Sequence, residues 1–164
     1  MKTKSNTLEK ATFGAGCFWG IEEMFHHVEG VKETAVGYMG GTVENPDSEI
    51  IYGGHTGHAE VVQLKYDPSV VSYEKLLQVF WDTHNPTTLN RQGWDVGDQY
   101  RSVIFYHGED QKEQAQKSKQ EIEKSGRWKN PIVTQIVPAV TFWKAEEYHQ
   151  KYLHKRGLTS CRFI

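Results

Sequence analysis

Cysteine is nearly missing from this chain: the 164 residues hold two, Cys17 and Cys161. Two thiols near opposite ends do not make the disulfide framework of a small secreted domain, and if they pair, redox chemistry is a better reason than scaffolding. No apolar run approaches the roughly 20 residues that cross a bilayer. The opening stretch Met1 to Lys10 has neither an apolar core nor a small-residue cleavage site, so the expectation is a cytoplasmic protein without a membrane role. An excess of positive charge is missing too. Nineteen Lys and Arg stand against 21 Asp and Glu, for a formal net charge of −2, and they are dispersed, which argues against nucleic acid as a partner. There are no repeats, low-complexity segments or linkers. What remains is ordinary globular composition, 37% hydrophobic and 24% charged, in a length that buries a core as one domain over residues 1–164.

Within that composition one stretch stands out, Gly14-Ala15-Gly16-Cys17-Phe18-Trp19-Gly20. It follows a short β-type run, Ala11-Thr12-Phe13, and leads into Phe18, Ile21, Met24, Phe25 and Val28, whose spacing predicts the buried face of a helix starting near Cys17. A cysteine at a helix N-terminus meets unpaired N–H groups and the positive end of the macrodipole, which favour thiolate over thiol. Phe18 and Trp19 supply an apolar wall beside it. The same glycines also approximate a dinucleotide fingerprint with one residue too many, so a nicotinamide-linked oxidoreductase is an alternative, and a peptide-binding module without turnover is another.

Further along, Val31–Tyr38 and Ala59–Tyr66 alternate as strands, separated by a Gly-, Asn- and Ser-rich stretch over 40–57 that reads as a long functional loop. Ser72 is the expected N-cap of a helix carrying Tyr73, Leu76, Leu77 and Phe80. Residues 87–99 read as a second functional loop, Ser102–Tyr106 as a buried strand and Glu109–Ser125 as a solvated helix. Strands near 133–138 and 140–143 and a helix from about Ala145 to His154 complete the chain. This order predicts an α+β fold, a two-layer α/β sandwich with a ferredoxin-like core, a mixed and mostly antiparallel sheet, long functional loops and a C-terminal tail.

Eight histidines raise a metal reading, chiefly His55-x-x-His58 and His26-His27, but neither pair has a third ordered ligand in sequence and adjacent rings on one helix diverge, so no metal is expected. Glu60 lies between Ala59 and Val61 at the end of the glycine-rich stretch. A carboxyl group among apolar neighbours there would tend to keep its proton and could serve as a general acid, though an outward-facing strand glutamate is the plain alternative. Asp95 and Tyr100, near Trp94, stand as polar groups beside a pocket or as simple loop chemistry.

The chain resembles the A-type peptide methionine sulfoxide reductases. The resemblance rests on Gly16-Cys17-Phe18-Trp19-Gly20, Gly37-Tyr38-x-Gly40-Gly41, Gly57-His58-Ala59-Glu60, Tyr66-Asp67-Pro68, the run from Arg91 to Ser102, and Tyr152-Leu153-His154-Lys155, in order over nearly the whole chain. It implies that Cys17 attacks the sulfoxide sulfur and Glu60 protonates the oxygen. Phe18 and Trp19 would hold the methyl group, while Tyr100, with Asp95 and His58, lines the polar side. It implies selectivity for the S epimer, of methionine sulfoxide free or in peptides. No bound cofactor is implied; an external thiol, namely thioredoxin, glutaredoxin with glutathione, or dithiothreitol, supplies the electrons to what is expected to be a monomer. Cys17 would become a sulfenic acid, resolved by Cys161 or by that external thiol.

Two departures accompany the resemblance. Arg156-Gly157-Leu158-Thr159-Ser160 precedes Cys161 where members carry an Asn-Pro-x-Gly-Tyr type approach. Ser48 stands where members usually carry a tyrosine that bonds the substrate oxygen, so that Tyr100 does that work alone or Tyr52 reaches in.

Overall fold

The computed structural model describes residues 7–158. A six-stranded sheet runs in the order β7-β6-β1-β3-β2-β8, from β1 (Glu9–Ala15), β2 (Val31–Met39), β3 (Ala59–Tyr66), β6 (Ser102–Tyr106), β7 (Gln135–Pro138) and β8 (Trp143–Lys144). All its pairings are antiparallel except β6 with β7. The expected mixed, mostly antiparallel α+β sandwich is what forms. β1 has antiparallel neighbours on both sides, so the strand-glycine-helix stretch is not the parallel βαβ unit that a dinucleotide fold requires.

Helices α1 (Phe18–His26), α3 (Tyr73–Asp82) and α4 (Glu109–Lys124) cover one face. Strand alternation sends Val62, Leu64 and Tyr66 of β3 into that layer, where they meet Phe18, Ile21 and Phe25 of α1 and Leu76, Leu77 and Phe80 of α3. Phe13 stacks on Phe25 at 5.2 Å and packs on Phe80 at the same distance. Each such fully buried side chain contributes about 1.5–3 kcal/mol of transfer free energy, which is why these residues and not helix propensity position α1. The opposite face carries a smaller cluster, Met39, Ala59, Val61, Val103 and Phe105, backed by Val137, Ala139 and Phe142.

Five local expectations are corrected. Met24 is 43% exposed, because the inward stripe of α1 is Phe18, Ile21, Glu22 and Phe25 and position 24 lies on the far side. Residues 40–57 contain a short helix, α2 (Ser48–Tyr52), whose Asp47 N-cap accepts from Ile50 N–H; α2 carries Ser48 and Tyr52 one turn apart. Residues 87–99 include a two-stranded hairpin, β4 (Arg91–Gln92) with β5 (Asp95–Val96). The C-terminal helix is broken: a 3₁₀ turn over Glu147–His149 and the four-residue α5 (Tyr152–Lys155) are separated by Lys151 in the left-handed region at φ 52°. The expected strand over 140–143 shrinks to β8 at Trp143–Lys144, with Val140 56% exposed, while Ala139 and Phe142 pack on the second sheet face.

Candidate active site

Cys17 is the N-cap of α1 and half-buried. Gly16, at φ +96°, makes the turn from β1 into the helix, and a Cβ there would also press on the Gln92 side chain at 2.8 Å. Gln92 in turn is fixed by Asn85, whose N–H it accepts at 3.0 Å and whose carbonyl it bonds. The thiol is thus set on a turn that is braced from behind by the second loop.

Glu60 comes from the middle of the sheet. It shares its strand face with Val62 and Leu64, pairs opposite Tyr38 in the β2–β3 register, and is 3% exposed. Its Oε1 accepts the Phe18 backbone N–H at 3.3 Å, so the carboxyl group lies against the first turn of α1, one residue from Cys17. The expected outward-facing alternative for Glu60 is therefore not what the fold adopts. The segment leading to it is closely packed: Thr42 N–H bonds Thr56 carbonyl at 3.0 Å, and a side chain on Gly41 would run into Thr56 and His58.

Tyrosine hydroxyls surround this pair. Partial desolvation of its hydroxyl raises Tyr52, with the negative charges of Glu60 and then Cys17 adding to it. Tyr100, in a 3₁₀ turn over Asp98–Tyr100, is raised by burial, then by Glu60, Asp95, Tyr52 and Cys17. Tyr38, 1% exposed, is raised by burial and then Glu60. All three remain phenols, hence hydrogen-bond donors, across the physiological range. Tyr52 and Tyr100 each feel both Cys17 and Glu60, so the structure brings together four of the expected residues: Cys17, Glu60, Tyr52 and Tyr100. Asp95 sits on the exposed hairpin and reaches the group through its effect on Tyr100.

The apolar side is as compact. Phe18 is 2% exposed and its ring centroid lies 5.7 Å from that of Tyr38 and 5.3 Å from that of His149. Trp19 stacks on Tyr152 at 3.8 Å and 7°, and its indole N–H donates to His149 Nδ1 at 2.9 Å. Accepting at Nδ1, His149 is the Nε2–H tautomer; burial lowers its pKa and keeps it neutral. His149 and Tyr152 were missed as part of the wall, although Tyr152 lies in a motif already noted. Ser48 Oγ donates to Glu146 at 2.5 Å and lies 2.9 Å from Tyr148 hydroxyl, so it belongs to a bracket holding α2 against the C-terminal segment.

His58 differs from its expected place on the polar side. Its Nδ1 accepts from Gly41 N–H at 3.0 Å and its Nε2 donates to Val43 carbonyl at 2.6 Å. Both nitrogens are spent on the loop backbone, which makes it a buried latch for the segment leading to Glu60. Cys161 lies outside the described residues. No described helix is long and apolar enough to cross a membrane.

Comparison with known proteins agrees with this geometry. The family model for peptide methionine sulfoxide reductase matches residues 9–164. The chain is 62% identical over 158 residues to the peptide methionine sulfoxide reductase MsrA of Methanoculleus marisnigri, covering 96% of each chain. Among solved structures it is similar to Mxr1 from Saccharomyces cerevisiae in reduced form, at TM-score 0.87 and 36% identity over 95% of this chain and 90% of that one. Mxr1 in complex with Trx2 is similar at TM-score 0.64 and 27% identity, over 93% and 89%.

Proposed function

Because the chain belongs to the peptide methionine sulfoxide reductase family, we propose that its reaction is carried by Cys17 as nucleophile, Glu60 as general acid, and Tyr52 and Tyr100 as donors to the substrate oxygen. The activity itself, reduction of methionine sulfoxide to methionine at the expense of thiols, is that of the family. The observation that carries the assignment of residues is the Phe18 N–H to Glu60 contact, which holds a buried carboxyl beside the helix start where the cysteine sits. The chain acts as a single A-type domain.

In this reading the Cys17 sulfur attacks the sulfoxide sulfur while Glu60 gives its proton to the oxygen. Desolvation among apolar side chains favours the neutral carboxyl, and in the proposed step its proton is delivered where negative charge grows on the oxygen. Tyr52 and Tyr100 donate to that oxygen as charge develops, and Phe18 and Trp19 take the methyl group. The oxygen passes to Cys17 as a sulfenic acid and methionine departs carrying the electron pair. A thiol then condenses with the sulfenic acid to give a disulfide and water, and a second thiol reduces that disulfide. The net change is one sulfoxide and two thiols to one thioether, one disulfide and one water.

Cys161 is the resolving thiol in this scheme and a thioredoxin-type protein the reductant, with the S epimer as substrate, in peptides or free, and a cytoplasmic monomer as the working form. The test is purified protein with dithiothreitol and a peptide containing methionine sulfoxide. Wild type turns over, and Cys17→Ser does not. Residual turnover by Cys17→Ser above a few per cent would overturn the assignment. For Cys161, mass spectrometry after one turnover is expected to show a Cys17–Cys161 disulfide; a Cys161→Ser variant recycled by thioredoxin at the wild-type rate would remove it from the cycle.

A further inference from the structure

The C-terminal end of α1 carries a second constellation, on the far side of the helix from Cys17 in sequence. Glu23 and His27 are four residues apart and so neighbours on one helix face, and α5 brings His154 over them. Their ligand atoms all lie within 4.8 Å of one another. His27 Nε2 is 2.6 Å from one Glu23 carboxylate oxygen and His154 Nδ1 is 3.9 Å from the other. The His26 ring stands 4.7 Å from that of His154. Sequence spacing alone discounted these histidines because adjacent rings diverge; the third ligand arrives through tertiary structure, from 127 residues further on.

The burial pattern is that of a built cluster. Glu23 is 5% exposed, whereas the His27 and His154 side chains are 60% and 52% exposed and reach it from the solvent side. Glu22 next door is fully committed, accepting Lys151 N–H at 2.6 Å and Thr34 hydroxyl at 2.8 Å. Glu23 contacts His27 and His154, imidazoles that carry charge only when protonated. The cations nearby are turned elsewhere: Lys155 to Glu147 carbonyl, Lys151 to Thr34 carbonyl, and Arg156 over the Tyr152 ring at 3.7 Å.

We propose that Glu23, His27 and His154 bind a divalent transition-metal ion of the zinc class, tying the end of α1 to α5. Two imidazoles and a carboxylate are donors that suit Zn²⁺ or Cu²⁺ and not Mg²⁺ or Ca²⁺. Metal bonds near 2.0–2.2 Å place tetrahedral ligand atoms about 3–3.5 Å apart, so the 2.6 Å His27–Glu23 contact opens and the 3.9 Å His154–Glu23 contact closes as the two exposed rings adjust. The ion takes no part in sulfoxide reduction. Its consequence is positional: α5 also carries Tyr152, the ring stacked on Trp19, and leads into residues 159–164.

The test uses the full chain with Cys17→Ser and Cys161→Ser, so that no thiol competes for the metal. Titration calorimetry with ZnCl₂ is expected to show one saturable site, weakened at least tenfold by His27→Ala and by His154→Ala. Cu²⁺ in the same protein is expected to give an electron paramagnetic resonance spectrum with nitrogen hyperfine from two imidazoles. Zn²⁺ at about 100 times its Kd should raise Tm by about 5 °C or more, in the parent and not in His27→Ala. Absence of saturable binding below about 1 mM Zn²⁺, or equal affinity in the parent and both histidine variants, overturns the proposal.

Discussion

Two buried polar clusters flank the C-terminal end of β1, whose Ala15 pairs with Ser102 and leads to Cys17, and they differ in where their hydrogen bonds end. His84 donates from Nδ1 to Phe80 carbonyl at 2.9 Å, accepts at Nε2 from Ser102 hydroxyl at 2.7 Å, and Ser102 pairs with Thr134 hydroxyl at 2.7 Å. That chain begins and ends within the core. Around Glu60 the polar groups instead converge on a half-buried sulfur, and one of the hydroxyls, Tyr52, is on a side chain 56% exposed. Buried polar groups serve stability in the first case and, in the proposed reaction, chemistry in the second. What separates them is whether a molecule from solvent can complete the network.

The largest effect that sharpens this contrast is on Glu60. Glu60→Gln keeps size and the acceptor for Phe18 N–H but has no acidic proton to give, and it should lower kcat/KM by about 10²-fold or more, near 3 kcal/mol, with little change in Tm. A Tm drop as large as the activity loss would place Glu60 with His84, as a structural group.

The converse experiment is on His84, whose pKa burial lowers to about 4 from an ordinary 6.5. Below pH 6.5 the unfolded chain takes up a proton that the folded ring resists. The contribution of the neutral ring is therefore complete above pH 6.5 and is lost as pH falls toward 4, at about 1.4 kcal/mol per pH unit and about 3 kcal/mol in all. In urea titrations the stability gap between wild type and His84→Asn should narrow over that window, while kcat/KM at pH 7.5 stays within about twofold. A gap independent of pH would show that the ring is not held neutral.

How far the sequence anticipated these two clusters differs for a physical reason. Cys17 at a helix start, the strand carrying Glu60, and the Ser72 cap are local: turn chemistry and periodicity within a dozen residues specify them. Ser72 does accept from Lys75 N–H at 3.0 Å as its type predicts. The His84–Ser102–Thr134 chain, the Trp19–His149–Tyr152 wall and the Glu23–His27–His154 group are each closed across gaps of 18 to 133 positions, and local patterning does not say which distant partner will close them. His58 shows the opposite error. A histidine in a glycine-rich motif looks like a ligand to substrate, but its ring spends both nitrogens on the backbone of Gly41 and Val43, at the other end of the same connection, which sequence spacing does not reveal.

The smallest effects concern how two hydroxyls divide the oxygen-binding work. A tyrosine at position 48 would project from the first turn of α2; here Ser48 occupies that position and is drawn to Glu146 at 2.5 Å, whereas Tyr52 is one turn later on the same helix and feels the charges of Glu60 and Cys17. Residues four apart on a helix share a face, so a phenol at position 52 presents its hydroxyl from the same side of α2 as position 48. Tyr52→Phe and Tyr100→Phe should each lower kcat/KM by about three- to tenfold, or roughly 0.7–1.4 kcal/mol, acting on kcat and not on KM if the bond strengthens as the oxygen gains charge. The double variant should lose more than either alone. Ser48→Ala removes only the bracket to Glu146 and should change kcat/KM by under about twofold. If instead Ser48→Ala costs as much as Tyr52→Phe, the bracket and not the phenol positions the oxygen, and the cleft around Glu60 is held by a closed internal network much as His84 is.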